Sequence, residues 1–310
     1  MKIFRFCFFI LMFAQTAFAQ PDLEARIRKQ AEIQIKAQSE ISQRNNSPLF
    51  VATINPLYQI LLAITEDKNN SILLFNPYKS EHGYELAKDD LATLSRARVI
   101  FYMDDNLEKN FAKLVKNFSL GSRSYQMARV PGLKLLRQRG NAQKIDYHLW
   151  LDPQNAIKIA DFISQRLCEV DGINCAKYRN NYQKFSLNVN AVAADLNNQL
   201  ERYRNLGFVF YHDAYQYFED YFNLRSLMVL SYEGEPAMSI SALRQFDKLA
   251  KAKSVRCVFG EVLDETNSAE KLARKYQINY MPINAIGLNG ESYSDMLTSL
   301  VGDFNDCLFY

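Results

Sequence analysis

Three features of the sequence predict an α/β protein of two lobes, each built on a parallel sheet, joined by one long rigid interdomain helix. Short apolar runs alternate with helical stretches in both halves of the chain, and strands separated by helices imply a parallel sheet covered on both faces. Between the halves, Ala176 to Arg204 runs without a single Gly or Pro, long enough to bridge two bodies. The length, 310 residues, suits two lobes better than one. Hydrophobic residues at 48% and aromatics at 13% exclude a disordered chain.

The chain opens with Met1-Lys2-Ile3-Phe4-Arg5, an apolar run through Phe13, then Ala17-Phe18-Ala19. Basic, apolar and small-residue parts in that order predict a secretory signal peptide over residues 1–19. The apolar run is shorter than the roughly twenty residues a membrane span needs, and no cysteine follows the cleavage point for lipid attachment. Residues 20–47 read as a helical extension: Leu23, Ile27, Ala31 and Ile35 share one face, and Asn45-Asn46-Ser47-Pro48 ends it.

The first lobe is expected over 48–152. Leu49 to Ile54, Ser71 to Phe75 and Arg98 to Tyr102 carry the buried-strand signature, with helical patterns over Leu57 to Thr65 and Lys88 to Ser95 between them. Residues 153–206 are helical almost throughout, broken at a turn between Cys168 and Cys175. The second lobe, 207–310, repeats the alternation: strand runs Gly207 to Tyr211, Ser226 to Leu230 and Val255 to Phe259, with helical stretches Tyr215 to Asn223 and Ser239 to Lys251.

Loss of the leader removes Lys2 and Arg5 and lowers the formal charge from +3 to +1, so no global field argues for nucleic acid or an anionic membrane. Cys7 goes with the leader. Four cysteines remain, an even number for an oxidising compartment, with three possible connectivities. Cys168 and Cys175 flank a turn and could close a short loop, after which Cys257 and Cys307 would tie a strand to the C-terminal tail; four buried free thiols are the alternative. From Lys109 to Ile145 there are nine Lys and Arg and no Asp or Glu. Such a run is ordinarily a solvated face, and otherwise a docking surface for acidic partners or lipid head groups.

The chain has three histidines, His82, His148 and His212, each at a loop end. Neutral imidazole is the commonest zinc ligand, and three imidazoles plus one oxygen suit a tetrahedral ion. Ligands of α/β lobes bind beyond the carboxyl ends of the strands; His212 follows a strand directly, His82 lies seven residues after one, and His148 precedes Asp152-Pro153, a good helix start. Taken singly, each histidine is more often structural than a ligand. Metalloprotease, phosphate-cradle, nucleophile-elbow and dinucleotide motifs are absent from the sequence.

Five segments then stand in a telling order: Phe50 to Leu57, Glu81-His82-Gly83-Tyr84-Glu85-Leu86, Asp146-Tyr147-His148-Leu149-Trp150-Leu151-Asp152-Pro153, Tyr211 to Phe218, and Cys257-Val258-Phe259-Gly260-Glu261. Their order and spacing resemble those of the zinc-binding solute receptors of bacterial ABC importers, over about residues 49 to 308. The resemblance implies an interlobe ion held by His82, His148 and His212, with Glu81 close by, and a C-lobe disulfide between Cys257 and Cys307. Asp146, Asp213 and Asn284 are candidates for weak ligation or support. Departures accompany it: Asn284 stands where the family usually has an aspartate, Gly83 replaces a common aspartate, and Ala87-Lys88 replaces the usual Pro-Ser. The family's His- and acid-rich loop has no counterpart in 109–145.

The expectation is therefore a periplasmic, monomeric receptor that captures Zn2+ and delivers it to an inner-membrane ABC permease, with no covalent chemistry and no nucleic-acid partner. Zinc is favoured over manganese, which prefers more oxygen ligands. A zinc hydrolase, or a metal storage or chaperone protein working without a permease, are the other classes that three histidines allow.

Overall fold

The computed structural model describes residues 49–76, 78, 88–232, 238–263, 266–288 and 292–309. The expected leader and helical extension, together with Glu81 and His82, lie outside the described residues. Residues 48–310 fall in one compact unit, which contains two parallel four-stranded sheets.

The first sheet is assembled from β1 (Leu49–Ala52), β2 (Ser71–Leu73), β3 (Ala97–Tyr102) and β4 (Ser124–Gln126), in the order β2-β1-β3-β4. The crossovers are α1 (Asn55–Thr65), α2 (Lys88–Arg96) and α3 (Lys109–Asn117). β1 is buried along its whole length, as a central parallel strand covered on both faces must be. In the second sheet β7 (Phe208–His212), β8 (Met228–Ser231), β9 (Cys257–Glu261) and β10 (Asn279–Ile283) run in the order β10-β9-β7-β8, with α6 (Gln216–Phe222), α7 (Ile240–Lys251) and α8 (Ser268–Tyr276) between them. Phe304 of α9 (Tyr293–Leu308) packs on Phe208, Phe210 and Phe259 of this sheet.

Two helices join the halves. Asp152 caps α4 (Pro153–Val170), accepting the N–H groups of Gln154 and Asn155, and Pro153 fills the first turn where no donor is needed. α5 (Cys175–Leu200) buries Tyr178, Asn181, Phe185, Val189, Ala193, Leu196 and Leu200, a single stripe at helical spacing. The helix meets both halves: Asn181 of the stripe donates to the Ile64 carbonyl of α1 at 3.0 Å, and Asn188 beside it to Ser294 of α9 at 2.8 Å. The long helix, expected from the uninterrupted run from Ala176, is thus bonded to both halves within two turns.

Both disulfides form, Cys168–Cys175 across the α4–α5 turn and Cys257–Cys307 between β9 and α9. The stretch 109–145, to which the sequence assigns no element, contains α3, the edge strand β4 and a hairpin of β5 (Arg137–Gln138) and β6 (Asn141–Ile145). Its apolar signals are too short to read, and the pairing partners that stabilise it lie elsewhere in the chain. Among the described residues no helix is long and apolar enough to cross a membrane.

Glu108, just before α3, is buried at the carboxyl end of β3, where its Oε2 accepts the N–H groups of Met103 and Asp104. Burial pushes its pKa up from 4.5 to about 8, against the lowering effect of the Thr53 hydroxyl and those two N–H groups. A carboxyl raised on folding contributes stability below its unfolded pKa and loses it as pH rises through the folded value. Thermal melts from about pH 5 to about pH 8 should therefore show the wild type losing ground against Glu108→Gln; parallel curves would exclude the effect. Opening the Cys257–Cys307 bridge with a Ser pair should cost about 2–5 kcal/mol of unfolding free energy in denaturant titration.

Candidate metal centre

His148, from the loop that precedes Leu149–Leu151, and His212, from the end of a strand, reach one place. His212 ends β7, and a parallel strand delivers its last residue to the crevice beyond the carboxyl edge. His148 precedes the single turn Leu149–Leu151 that leads into the Asp152 cap of α4. The ring centroids are 5.5 Å apart and the planes are inclined at 78°. Two imidazoles sharing a tetrahedral zinc through bonds of about 2.0–2.1 Å have donor nitrogens roughly 3.3 Å apart, and 5.5 Å between centroids fits that spacing.

The His148 ring is oriented by Asp146, two residues earlier. Asp146 Oδ1 accepts both the His148 backbone N–H at 3.0 Å and ring Nδ1 at 2.7 Å. An oxygen already accepting one N–H is an acceptor for the other, so Nδ1 carries the proton and Nε2 presents its lone pair, the state a metal ligand needs. Both side chains are buried, and the Trp150 ring lies 5.3 Å from that of His148. Trp150 is itself fixed, donating Nε1–H to Ala285 O at 2.8 Å and accepting from Tyr293 through its carbonyl at 2.6 Å.

Asp213, next to His212, is buried, and its N–H donates to Ser231 O at 3.2 Å. Desolvation pushes its pKa up to about 6 against the opposing charge of Arg139, with Asp146 adding to the rise, His148 opposing it and Glu219 adding again. Arg139 pairs with Asp213 at 3.0 Å and also with Glu219. Burial works against the guanidinium charge, but Glu219 and Asp213 outweigh it and hold its pKa above the ordinary value. One arginine therefore faces several carboxylates beside two imidazoles.

Asn284 follows β10 and is buried, with Oδ1 accepting the Ile286 N–H at 3.3 Å. The next carbonyls are clamped by the first half of the chain: Ala285 O by Trp150, Ile286 O at 2.8 Å by Asn55, and Gly287 O by Asn55 and by Gln59 at 3.0 Å. Gly287 sits at φ +64°, a conformation glycine adopts without strain, and a Cβ there would displace the Gln59 amide that bonds its carbonyl.

Among the described residues no group of three or more His, Cys, Asp and Glu side chains is set to hold a metal ion; His148 and His212 are the described part of the expected set. The sequence reading missed Arg139, Tyr217 and Glu219. It treated 109–145 as one solvated or docking stretch, whereas Lys134 pairs with Asp220 and Arg139 with Asp213 and Glu219. The signal was present as complementarity: a stretch without acids, and an acidic segment Asp213, Glu219, Asp220 in the other half.

A family model described as zinc-uptake complex component A, periplasmic, matches residues 50–307. The high-affinity zinc uptake system protein ZnuA of Brucella abortus is 22% identical over 303 residues, covering 83% of this chain and 91% of its own length. The metal ABC transporter substrate-binding lipoprotein SsaB of Streptococcus sanguinis is 27% identical, covering 70% and 73%. Among solved structures, an Mn-bound periplasmic metal binding protein from candidatus Liberibacter asiaticus superposes with a TM-score of 0.72 at 18% identity, covering 85% of this chain and all of that one.

Asp146→Ala should release the His148 tautomer. Long-range nitrogen–proton NMR of the imidazole is expected to show one Nδ1-protonated form in the wild type and a mixture in the variant, with metal affinity lowered about 10–100-fold. An unchanged tautomer would remove Asp146 from this role.

Proposed function

Because the chain belongs to the family of periplasmic zinc-uptake component A proteins, we propose that it captures zinc in the periplasm through His82, His148 and His212 and hands it to an inner-membrane ABC permease. The observation that carries this reading is the convergence of His148, from a loop in the first half of the chain, and His212, from the end of β7, with rings 5.5 Å apart. The His148 tautomer fixed by Asp146 supports it, since a ligand must present an unprotonated nitrogen. The motif Glu81-His82 supplies the third imidazole and either Glu81 or a water the fourth position.

Zinc is the cargo this donor set favours. Three imidazoles with at most one carboxylate offer little to manganese, which sits low in the affinity series and prefers oxygen. Asn284, an amide, adds no charge. That a structural neighbour is manganese-bound makes competition between the two metals the informative measurement. The relatives are solute-binding proteins rather than enzymes, and a leader over residues 1–19 accounts for export.

Protein purified without chelators should carry one equivalent of zinc by elemental analysis, with no second tight site, since 109–145 holds neither His nor carboxylate. His82→Ala, His148→Ala and His212→Ala should each cost more than the roughly 10–100-fold typical of an outer-shell partner, measured by chelator competition. Binding should also fall away below about pH 6 as the imidazoles protonate. Wild-type affinity in all three variants, or displacement of zinc by equimolar manganese, would overturn the assignment. In cells lacking both this protein and an ABC zinc permease, zinc-limited growth should return only when both are supplied together; growth restored by the permease alone would count against delivery.

A further inference from the structure

We propose that Arg139 is a positioning residue of the metal centre: by gripping Asp213 and Glu219 together it holds the His212 end of β7 in place and so governs how fast bound metal leaves. This rests on the reading that His148 and His212 share one ion.

The argument starts from the hairpin. Arg139 stands at its tip, between β5 and β6, and Gly140 beside it lets the backbone approach Tyr232 so closely that a Cβ would fall 2.9 Å from the ring. From that tip the guanidinium sends one nitrogen to Asp213 Oδ1 at 3.0 Å and the other to Glu219 Oε2. Both carboxylate side chains are 5% exposed. Glu219 is held in turn, its Oε1 accepting the Ser226 N–H at 2.6 Å. Asp213 directly follows His212, so a fixed Asp213 fixes the backbone from which the imidazole projects.

The other end of the same hairpin carries Asp146, which orients His148. Its N–H donates to Leu136 O at 3.0 Å, and its carbonyl accepts from Tyr217 of α6 at 2.8 Å. Tyr217 also accepts the Leu136 N–H at 2.8 Å. One short strap therefore joins the mounts of both imidazoles, Asp146 for His148 and Arg139 for His212. Arginine is suited to this place because its planar fork can bind two carboxylates at once, where an ammonium is a point charge. The Lys134–Asp220 pair on the same strap makes the contrast, since its side chains are 48% and 40% exposed and exposed pairs contribute little.

Charge and geometry predict opposite signs, which makes the idea testable. A guanidinium near a cation site repels the cation, so removing its charge alone would slow release; losing the grip on Asp213 would speed it. The experiment uses full-length mature protein loaded with zinc, release followed by stopped flow into excess chelator, and the d–d spectrum of the cobalt-substituted form as a reading of coordination geometry. Arg139→Lys and Arg139→Met should both release zinc about tenfold faster or more, with association unchanged and altered cobalt bands. Lys134→Met should stay within about twofold, with wild-type bands. Arg139→Lys behaving as wild type, or Arg139→Met releasing zinc more slowly, would overturn the positioning role while leaving the three-histidine reading intact. A wild-type chain that takes up neither zinc nor cobalt would instead sink that reading, and this one with it.

Discussion

The proposed centre depends on Asp146, because its N–H, its carbonyl and its Oδ1 are each committed to a different part of the molecule. Its N–H bonds Leu136 across the hairpin, its carbonyl accepts from Tyr217 in the second half, and Oδ1 holds His148 by backbone and ring. A histidine aimed by a buried carboxylate has one tautomer and one orientation, and a carboxylate anchored through its own backbone does not wander. Had His148 been held only by packing, nothing would fix which ring nitrogen carries the proton.

The halves of the chain are tied on two sides of this point. On one side the hairpin lies on α6 through Lys134, Leu136, Arg137 and Arg139. On the other, three successive carbonyls from Ala285 to Gly287 accept donors from Trp150, Asn55 and Gln59. Behind both runs α5, whose buried Asn181 and exposed Asn188 bond to opposite halves. Buried polar contacts are costly to leave unmade, so separating the halves as rigid bodies would strand many donors at once. Motion confined to one flank strands few, which makes local opening the less costly route for metal to enter and leave.

Much of this was legible in the sequence. The strands around Val51, Phe101 and Phe210 and the helix from Ala176 stand where the apolar runs and the Gly- and Pro-free stretch put them, because buried parallel strands and long helices have strong periodic signatures. Both cysteine pairs formed as the short turn and the family resemblance implied. The hairpin 137–145 was not legible: its strands are two and five residues long, mostly exposed, and owe their shape to α6. Nor was Arg139, whose partners lie more than seventy positions away. A charge run looks like solvent until the opposing charges are known to face it. Tyr217 was likewise hidden, since its aromatic body reads as core and only the placement of its hydroxyl gives it a role.

Asn284 links these constraints to the choice of metal. Its side-chain oxygen accepts the Ile286 N–H within a tight turn whose following carbonyls are all engaged by the first half of the chain. An amide oxygen used this way is held to the turn, and an amide carries no charge to offset the loss of that bond should it turn toward an ion. The negative charge around the centre comes instead from Asp146, Asp213 and Glu219, which share Arg139. Three carboxylates against one guanidinium leave a balance of −2 when all are ionised, which a divalent cation on the proposed imidazole ligands would offset. In the proposed site the carboxylates would attract the cation through the field while Asp146, Asp213 and Glu219 stay occupied with His148 and Arg139, so that the direct bonds would fall to nitrogen. Manganese gains from the field as much as zinc does; only zinc gains also from nitrogen-rich ligation.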